Sequence, residues 1–220
     1  YFCHNKNLYK NIPSKVYKYH MKILAIQNRM GIGDTVIFLP FIKALSKKYN
    51  SPISLLVKES SKANQYLSET KYIDKIIILE RDKKNNSRHD GILGIFNMIK
   101  DLRSHRFNKI FIFNSSLRFN LIAKFSNIPE IFQYPLFSKN KQHIVNTPRK
   151  FMKEKLNIDI FEDPEIQVDD KLVANAAKKF LINNEETNVL LGIGGSGSTK
   201  RIPANIFLKF MRELIKKKKL

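Results

Sequence analysis

A single cysteine, Cys3, in 220 residues rules out an internal disulfide framework and a cysteine-based zinc cluster. It fits a reducing compartment. Tryptophan is absent, and no internal repeat or long low-complexity run is visible. Long apolar runs are missing too. The longest, Val36 to Ile42, falls far short of the roughly 18–20 residues a membrane span needs. Residues 1–20 are basic at the start but lack the apolar core of a signal peptide. They read as a disordered basic extension, because Met21 leads directly into a strand pattern. Acidic residues are scarce, 19 against 40 Lys+Arg, which leaves a net charge of +21 and a pI near 10.0. Such an excess attracts nucleic acid, anionic membrane or phosphorylated substrates without selecting among them. With Lys, Asn, Ile and Phe all abundant, part of the lysine excess reads as compositional bias. No RNA-recognition, KH or helix-turn-helix signature accompanies the charge. The five histidines have no metal spacing, and neither H-E-x-x-H nor Asp-x-Asp occurs, so no metal and no cofactor are expected.

What is present is a core and a rhythm. Hydrophobic residues make up 43% of the chain, and at about 150 residues per domain the length suits one complete domain and part of a second. The short apolar run Ile23–Ile26 reads as a buried strand, and Ile53–Val57, Ile76–Leu79, Ile110–Phe113 and Ile131–Tyr134 read as further strands. Helical spacing follows Asp34, which sits where an N-cap belongs, and recurs over Ser60–Leu67, Ile92–Ser104 and Leu117–Phe125. Strands apolar on both faces, alternating with helices, predict an α/β fold with a parallel sheet covered on each side. From Pro135 to Pro164 the rhythm lapses into loop with one helix, Pro148–Leu156. Asp169–Asn183 is predicted helical, Val189–Ile193 a new strand, and Ala204–Lys219 a last helix.

Three segments carry candidate chemistry. The run Gly192-Ile-Gly194-Gly195-Ser-Gly197 fits the dinucleotide pattern G-x-G-x-x-G, yet Pro203 restarts the helix too late for it. It nearly fits a P-loop, but Ser198-Thr199-Lys200 inverts the required order. A flexible connection is the plainest alternative. Glycines, backbone N–H groups, two hydroxyls and one lysine before a helix also make a diphosphate cradle. Gly31-Ile-Gly33-Asp34 follows the first strand, at the edge where α/β proteins bind ligands. There Asp34 is either a helix cap or a general base. The basic loop from Arg81 through Lys83, Lys84 and Arg88 to His89 is either a phosphate site or a solvated charge run.

Taken together, two of these segments resemble a known family. Met21-Lys-Ile-Leu-Ala-Ile-Gln-Asn-Arg-Met-Gly-Ile-Gly-Asp34-Thr-Val-Ile-Phe-Leu-Pro40 is similar to the N-terminal signature of the lipopolysaccharide heptosyltransferases, glycosyltransferase family 9. Val189–Gly195 followed by Lys200-Arg-Ile-Pro203 resembles that family's second signature, with Ile202 where the family usually has Trp. Phe113-Asn-Ser-Ser-Leu-Arg118 and Asn127–Tyr134 also look like family segments, with Asn114 in place of the usual acid. The likeness runs from residue 21 to about 215 in consistent order.

The resemblance implies a GT-B-type architecture, in which an N-terminal Rossmann-like parallel sheet is followed by a second, truncated Rossmann-like domain. On that pattern residues 1–20 are the extension, 21–165 the acceptor domain, 166–185 a connecting helix and 186–220 the start of the nucleotide-sugar domain. It implies an inverting transfer of heptose, or a related sugar, from ADP-heptose to a lipopolysaccharide inner-core acceptor. Asp34 would be the general base, and Gly194, Gly195, Ser198, Thr199 and Lys200 would hold the donor diphosphate without a metal. Gly31, Gly33, Arg81, Lys83, Lys84, Arg88 and Arg118 would face the acceptor. The expected partners are the nucleotide sugar, a phosphorylated lipid-linked core, and the cytoplasmic surface of the inner membrane, bound peripherally; no specific nucleic acid is expected. The chain as given is expected to be a fragment inactive alone. The competing class is a basic, non-catalytic α/β module that binds anionic membrane or nucleic acid through charge.

Overall fold

Ile23–Ile26 (β1) and Lys109–Ile112 (β4) are buried at every position, as strands with helices on both faces must be. The computed structural model describes residues 21–29, 31–81, 87–136, 143–183, 185–194 and 201–218. The 1–20 extension lies outside the described residues. Around β1 and β4 stand β2 (Ile53–Lys58), β3 (Ile73–Leu79) and β5 (Glu130–Gln133), all parallel, in the order β3-β2-β1-β4-β5. Ile23 lies opposite both Ile53 and Lys109, so β1 is hydrogen-bonded on both sides.

Alternation along the strands divides the core in two. Ile23, Ala25, Leu55 and Phe111 face α1 (Ile32–Tyr49) and α4 (Asn146–Leu156), which contribute Phe38, Ile42, Leu45, Phe151 and Met152. Leu24, Ile26, Ile110 and Ile112 face α2 (Leu93–His105) and α3 (Leu117–Phe125), with Met98, Leu102, Phe119 and Ile122. The predicted parallel α/β sheet is therefore present in this part of the chain.

Several local expectations are corrected. Helix α1 starts at Ile32, two residues before Asp34, with Gly31 as its N-cap in an extended conformation. The predicted helix Ser60–Leu67 is instead two short 3₁₀ turns, Glu59–Ser61 and Ala63–Gln65, because Lys62 between them is left-handed at φ 50°. Strand β3 begins at Ile73, three residues earlier than its apolar run, and its register against β2 shifts between Ile53 and Leu55.

A second compact unit begins at Val168, whereas the first ends at Gln167. It holds α5 (Asp170–Lys179) and α6 (Ala204–Lys218). Asp169 caps α5, its carboxylate accepting the Lys171 N–H at 2.8 Å, and no residue of α5 is buried. The strand expected over Val189–Ile193 does not form: among the described residues it has no ladder neighbour, and an apolar run alone satisfies none of its backbone groups.

Helix α2 lies close to the chain before it because position 94 lacks a Cβ. One built there would stand 2.1 Å from the His89 carbonyl carbon. Gly94→Ala is expected to lose about 1–3 kcal/mol in urea denaturation, as overpacked sites do. At Gly33 no atom lies within 4 Å of such a Cβ. Gly33→Ala should gain up to about 1 kcal/mol from helix propensity, and a loss there would show that the two glycines were misread.

Candidate active site

The strand order reverses between β1 and β4, so the loops leaving these two strands diverge and open a crevice at the carboxyl edge of the sheet. The loop after β1 is pinned from below by Gln27, which is 1% exposed. Its Oε1 accepts the Arg29 N–H at 2.9 Å, and its Nε2 donates to the Asp34 carbonyl oxygen at 3.2 Å. One side chain thus fixes both the loop and the first turn of α1. Asp34, half-buried at the third position of that turn, reaches back so that its Oδ2 accepts the Gly31 N–H at 3.1 Å. This is the carboxylate arm of a capping box. Among the described residues Oδ1 accepts no hydrogen bond. Asp34 therefore caps the helix through one oxygen and holds the other available. Ile32 and Gly33 beside it are exposed.

Across the crevice, Asn114 follows β4. Its Nδ2 donates to Asn28 Oδ1 at 3.3 Å and its Oδ1 accepts the Ser116 N–H at 2.9 Å, tying the two diverging loops together. Gln133 at the end of β5 donates to the carbonyls of Asn114 and Ser116, and its own Oε1 accepts from Asn120 at 2.7 Å. Asn28, Arg29, Asn114, Ser115 and Tyr134 line a cavity of about 330 Å³ there. Phe113 and Tyr134 line it and pack edge-to-face with each other and with Phe151 at 5.1–6.0 Å. The Tyr134 hydroxyl has no partner among the described residues, and burial pushes its phenol well up, the Arg29 charge only partly opposing.

A larger cavity, about 830 Å³, lies at the ends of β2 and β3, between Lys58, Lys62, Asn64, Glu80, Arg81 and Ser87. The predicted basic residues behave unequally beside it. Arg88 makes a two-pronged ion pair with Asp101 at 2.6 and 3.2 Å. Arg81 lies 3.7 Å from the Asp90 carboxylate. Arg118, on the first turn of α3, donates to the carbonyls of Gly91 and His89 at 2.8 and 2.7 Å. Burial pushes the Arg118 guanidinium down, and the neighbouring Arg81 charge adds to the effect. The Asp90 carboxylate, paired with Arg81, opposes the Arg81 effect in part. Buried His89 accepts the Glu80 N–H through Nδ1 at 3.1 Å, which leaves Nε2 to donate to Asp101 at 3.0 Å.

The structure thus brings Gly31, Gly33 and Asp34 to the end of β1, Arg118 to the end of β4, and Arg81 and Arg88 to the end of β3. Lys83 and Lys84 lie outside the described residues, as do Gly195, Ser198, Thr199 and Lys200. Gly194 is exposed in the second unit. Among the described residues no group of three or more His, Cys, Asp or Glu could hold a metal ion, and no helix is long and apolar enough to cross a membrane. Gln27, Asn28 and the His89–Asp101 pair were missed from sequence. A glutamine closing an otherwise apolar strand was the one available signal.

A doubly wound sheet with a crevice at its switch point defines a class of α/β proteins that bind ligands above the strand ends. Solved structures narrow the fold further. The chain superposes on a glycosyl transferase family 9 structure from Veillonella parvula with a TM-score of 0.65 at 18% identity, covering 86% of this chain and 58% of that one. For E. coli ADP-heptose lipopolysaccharide heptosyltransferase II the TM-score is 0.62 at 17% identity, over 90% and 62%. For E. coli heptosyltransferase WaaC with ADP it is 0.53 at 14% identity, over 88% and 64%. The chain has the fold of these glycosyltransferases and spans about three fifths of their length. No family model matches the sequence, and no curated protein matches it.

The Asp101 carboxyl is pushed up by burial, but the hydrogen bonds from Arg88 and His89 and their charges outweigh this and hold it below the ordinary range. A depressed carboxylate stabilises the fold above its unfolded value near about 4 and loses that contribution as pH falls through the folded one. In urea titrations Asp101→Asn should be less stable than wild type at neutral pH, with the gap closing in acid. A gap independent of pH would mean that the ion pair is not its source.

Proposed function

We propose that the protein is an inverting glycosyltransferase that moves a sugar from a nucleotide-diphosphate donor, ADP-heptose by resemblance, to a phosphorylated core-sugar acceptor carried on lipid. The observation that carries the reading is Asp34. It stands at the switch-point crevice on the first turn of α1, held by Gln27 and Gly31, with one carboxylate oxygen uncommitted among the described residues. In this reading an acceptor hydroxyl lies against Oδ1. Asp34 takes its proton as the hydroxyl oxygen attacks the anomeric carbon and the bond from that carbon to the diphosphate breaks. The proton ends on the carboxyl and the electron pair on the departing nucleoside diphosphate. Arg118 at the end of β4 and Arg81 at the end of β3 carry positive charge at the same carboxyl edge of the sheet and are suited to the acceptor's phosphate. Ser198, Thr199 and Lys200 would receive the leaving diphosphate. The fold shared with glycosyltransferases supports this reading, as does the sequence resemblance. The place of work would be the cytoplasmic face of an anionic membrane, where the acceptor's lipid lies.

Asparagine offers an Oδ1 to the Gly31 N–H and caps a helix about as well as aspartate. In the natural polypeptide that contains these residues, Asp34→Asn should therefore keep its melting temperature and lose about 10²–10⁴-fold in kcat for transfer from ADP-heptose. Near-normal turnover would leave Asp34 as a helix cap only. Lys200→Ala should weaken ADP binding in calorimetry by about tenfold or more, as loss of a charge-assisted hydrogen bond does. Lys217→Ala on exposed α6 should not change it. Equal affinities for the two variants would remove the diphosphate role.

A further inference from the structure

Helices α2 and α3 lie side by side along one face of the sheet. Arg118 on the first turn of α3 holds Gly91 just before α2, and Arg103 near the end of α2 donates to the Phe125 carbonyl at the end of α3. Their inward sides fill the core, but their outward sides are not the polar surface such helices usually show. Leu93 and Phe96 on α2 are 77% and 62% exposed; Leu117 and Phe125 on α3 are 46% and 57% exposed, with Leu121 between them. The spacing 117, 121, 125 places three of these on a single stripe. Scattered exposed apolar residues need no explanation, but adjoining stripes on neighbouring helices do.

The charge around the stripes is of one sign. Lys100, Arg103 and Lys124 are exposed on the same two helices. The only acidic residue of either helix is Asp101, which is already committed to Arg88 and His89. An apolar surface interleaved with cations and free of available carboxylates matches an anionic lipid headgroup layer over acyl chains. It suits a second copy of this chain poorly, because two such faces would oppose cation to cation within a net charge of +21. Both helices run back against the parallel strands, so their first turns, with Leu93, Phe96 and Leu117, stand at the carboxyl edge of the sheet. That edge also holds the switch-point crevice.

We infer that the outward face of α2 and α3 docks on an anionic lipid surface and sets the crevice mouth beside it. The inference deepens the proposed function, since it rests on the reading that the acceptor is carried on lipid. Leu93, Phe96, Leu117, Leu121 and Phe125 enter the headgroup boundary, and Lys100, Arg103 and Lys124 meet the lipid phosphates. The position of this face lets a lipid-borne sugar rise into the crevice without leaving the membrane.

Co-sedimentation of the whole chain with vesicles of phosphatidylcholine, with and without phosphatidylglycerol, tests this directly. Wild type should partition onto the anionic vesicles. Phe96→Ser/Phe125→Ser, both at exposed positions and so expected to melt like wild type, should bind them about tenfold more weakly. Lys100→Ala/Lys124→Ala should lose about fivefold per cation. Lys48→Ala/Lys155→Ala removes the same charge from the opposite face and should lose far less. Equal losses for the two lysine pairs would overturn the face in favour of charge alone. Unchanged binding by the serine variant would overturn it too, as would a wild-type dimer in sedimentation velocity that the serine variant abolishes. Vesicle binding requires no donor and no turnover. Failure of sugar transfer therefore leaves this face standing, and intact transfer to a soluble acceptor with no vesicle binding defeats the face alone.

Discussion

The reversal of strand order at β1 is the constraint on which the remaining features depend. From β1 the chain steps outward to β2 and β3, and α1 lies on one face. It then returns past β1 to β4 and β5, and right-handed crossovers place α2 and α3 on the other face. Both faces of β1 are therefore covered, and all four of its side chains are buried. The loops leaving β1 and β4 must travel to opposite faces, so the space between them stays open. The crevice follows from topology, and the polar side chains at its rim answer the backbone groups that topology leaves exposed. Gln27, Asn28, Asn114 and Gln133 each bridge segments that the sheet itself no longer joins.

The positive charge of the chain divides by what it touches. Near the ends of β3 and β4 the arginines are largely occupied by the protein: Arg88 by Asp101, Arg118 by two carbonyls, Arg81 by Asp90. They build and brace the segment from Ser87 to Gly91, where the charges of Arg81 and Asp90 act on Arg118 in opposite directions. Ion pairs at solvent-exposed sites are individually weak. Their value at this edge is positional, because they brace Ser87 to Gly91 beside the cavity of about 830 Å³. On the outer sides of α2 and α3 the cations are instead exposed beside apolar side chains, which is an arrangement for a surface and not for a small ligand.

Much of the sheet was legible in the sequence, since strands buried on both faces must be largely apolar, as Ile23–Ile26 is throughout and Ile53–Val57 is apart from Ser54, whose buried hydroxyl donates to Asp74. The edge strand β3 was legible only in part. Asp74 and Lys75 are polar because an edge strand meets solvent, and they hid its first half. The helix expected over Ser60–Leu67 failed because its apolar spacing says nothing about a left-handed Lys62. Val189–Ile193 has strand composition, but pairing needs a neighbour, and composition cannot supply one. At the site, Asp34 was found by its position after the first strand. Its place at the third turn position, and not at the cap, depends on Gly31 adopting the extended cap conformation. Gln27 and the His89–Asp101 pair escaped notice because their roles rest on contacts between residues distant in sequence or hidden by burial.

Whether the switch-point crevice is the ligand site can be measured without turnover, by titrating isotopically labelled chain with a phosphorylated sugar and following the backbone amide resonances. Saturable shifts are expected for Asn28, Arg29 and Gly31 to Asp34 and for Asn114 to Arg118, the two loops that diverge from β1 and β4. Non-saturating shifts spread over the exposed lysines, with Gly31 to Asp34 unmoved, would contradict a built site there and leave only the attraction of a basic surface for an anion.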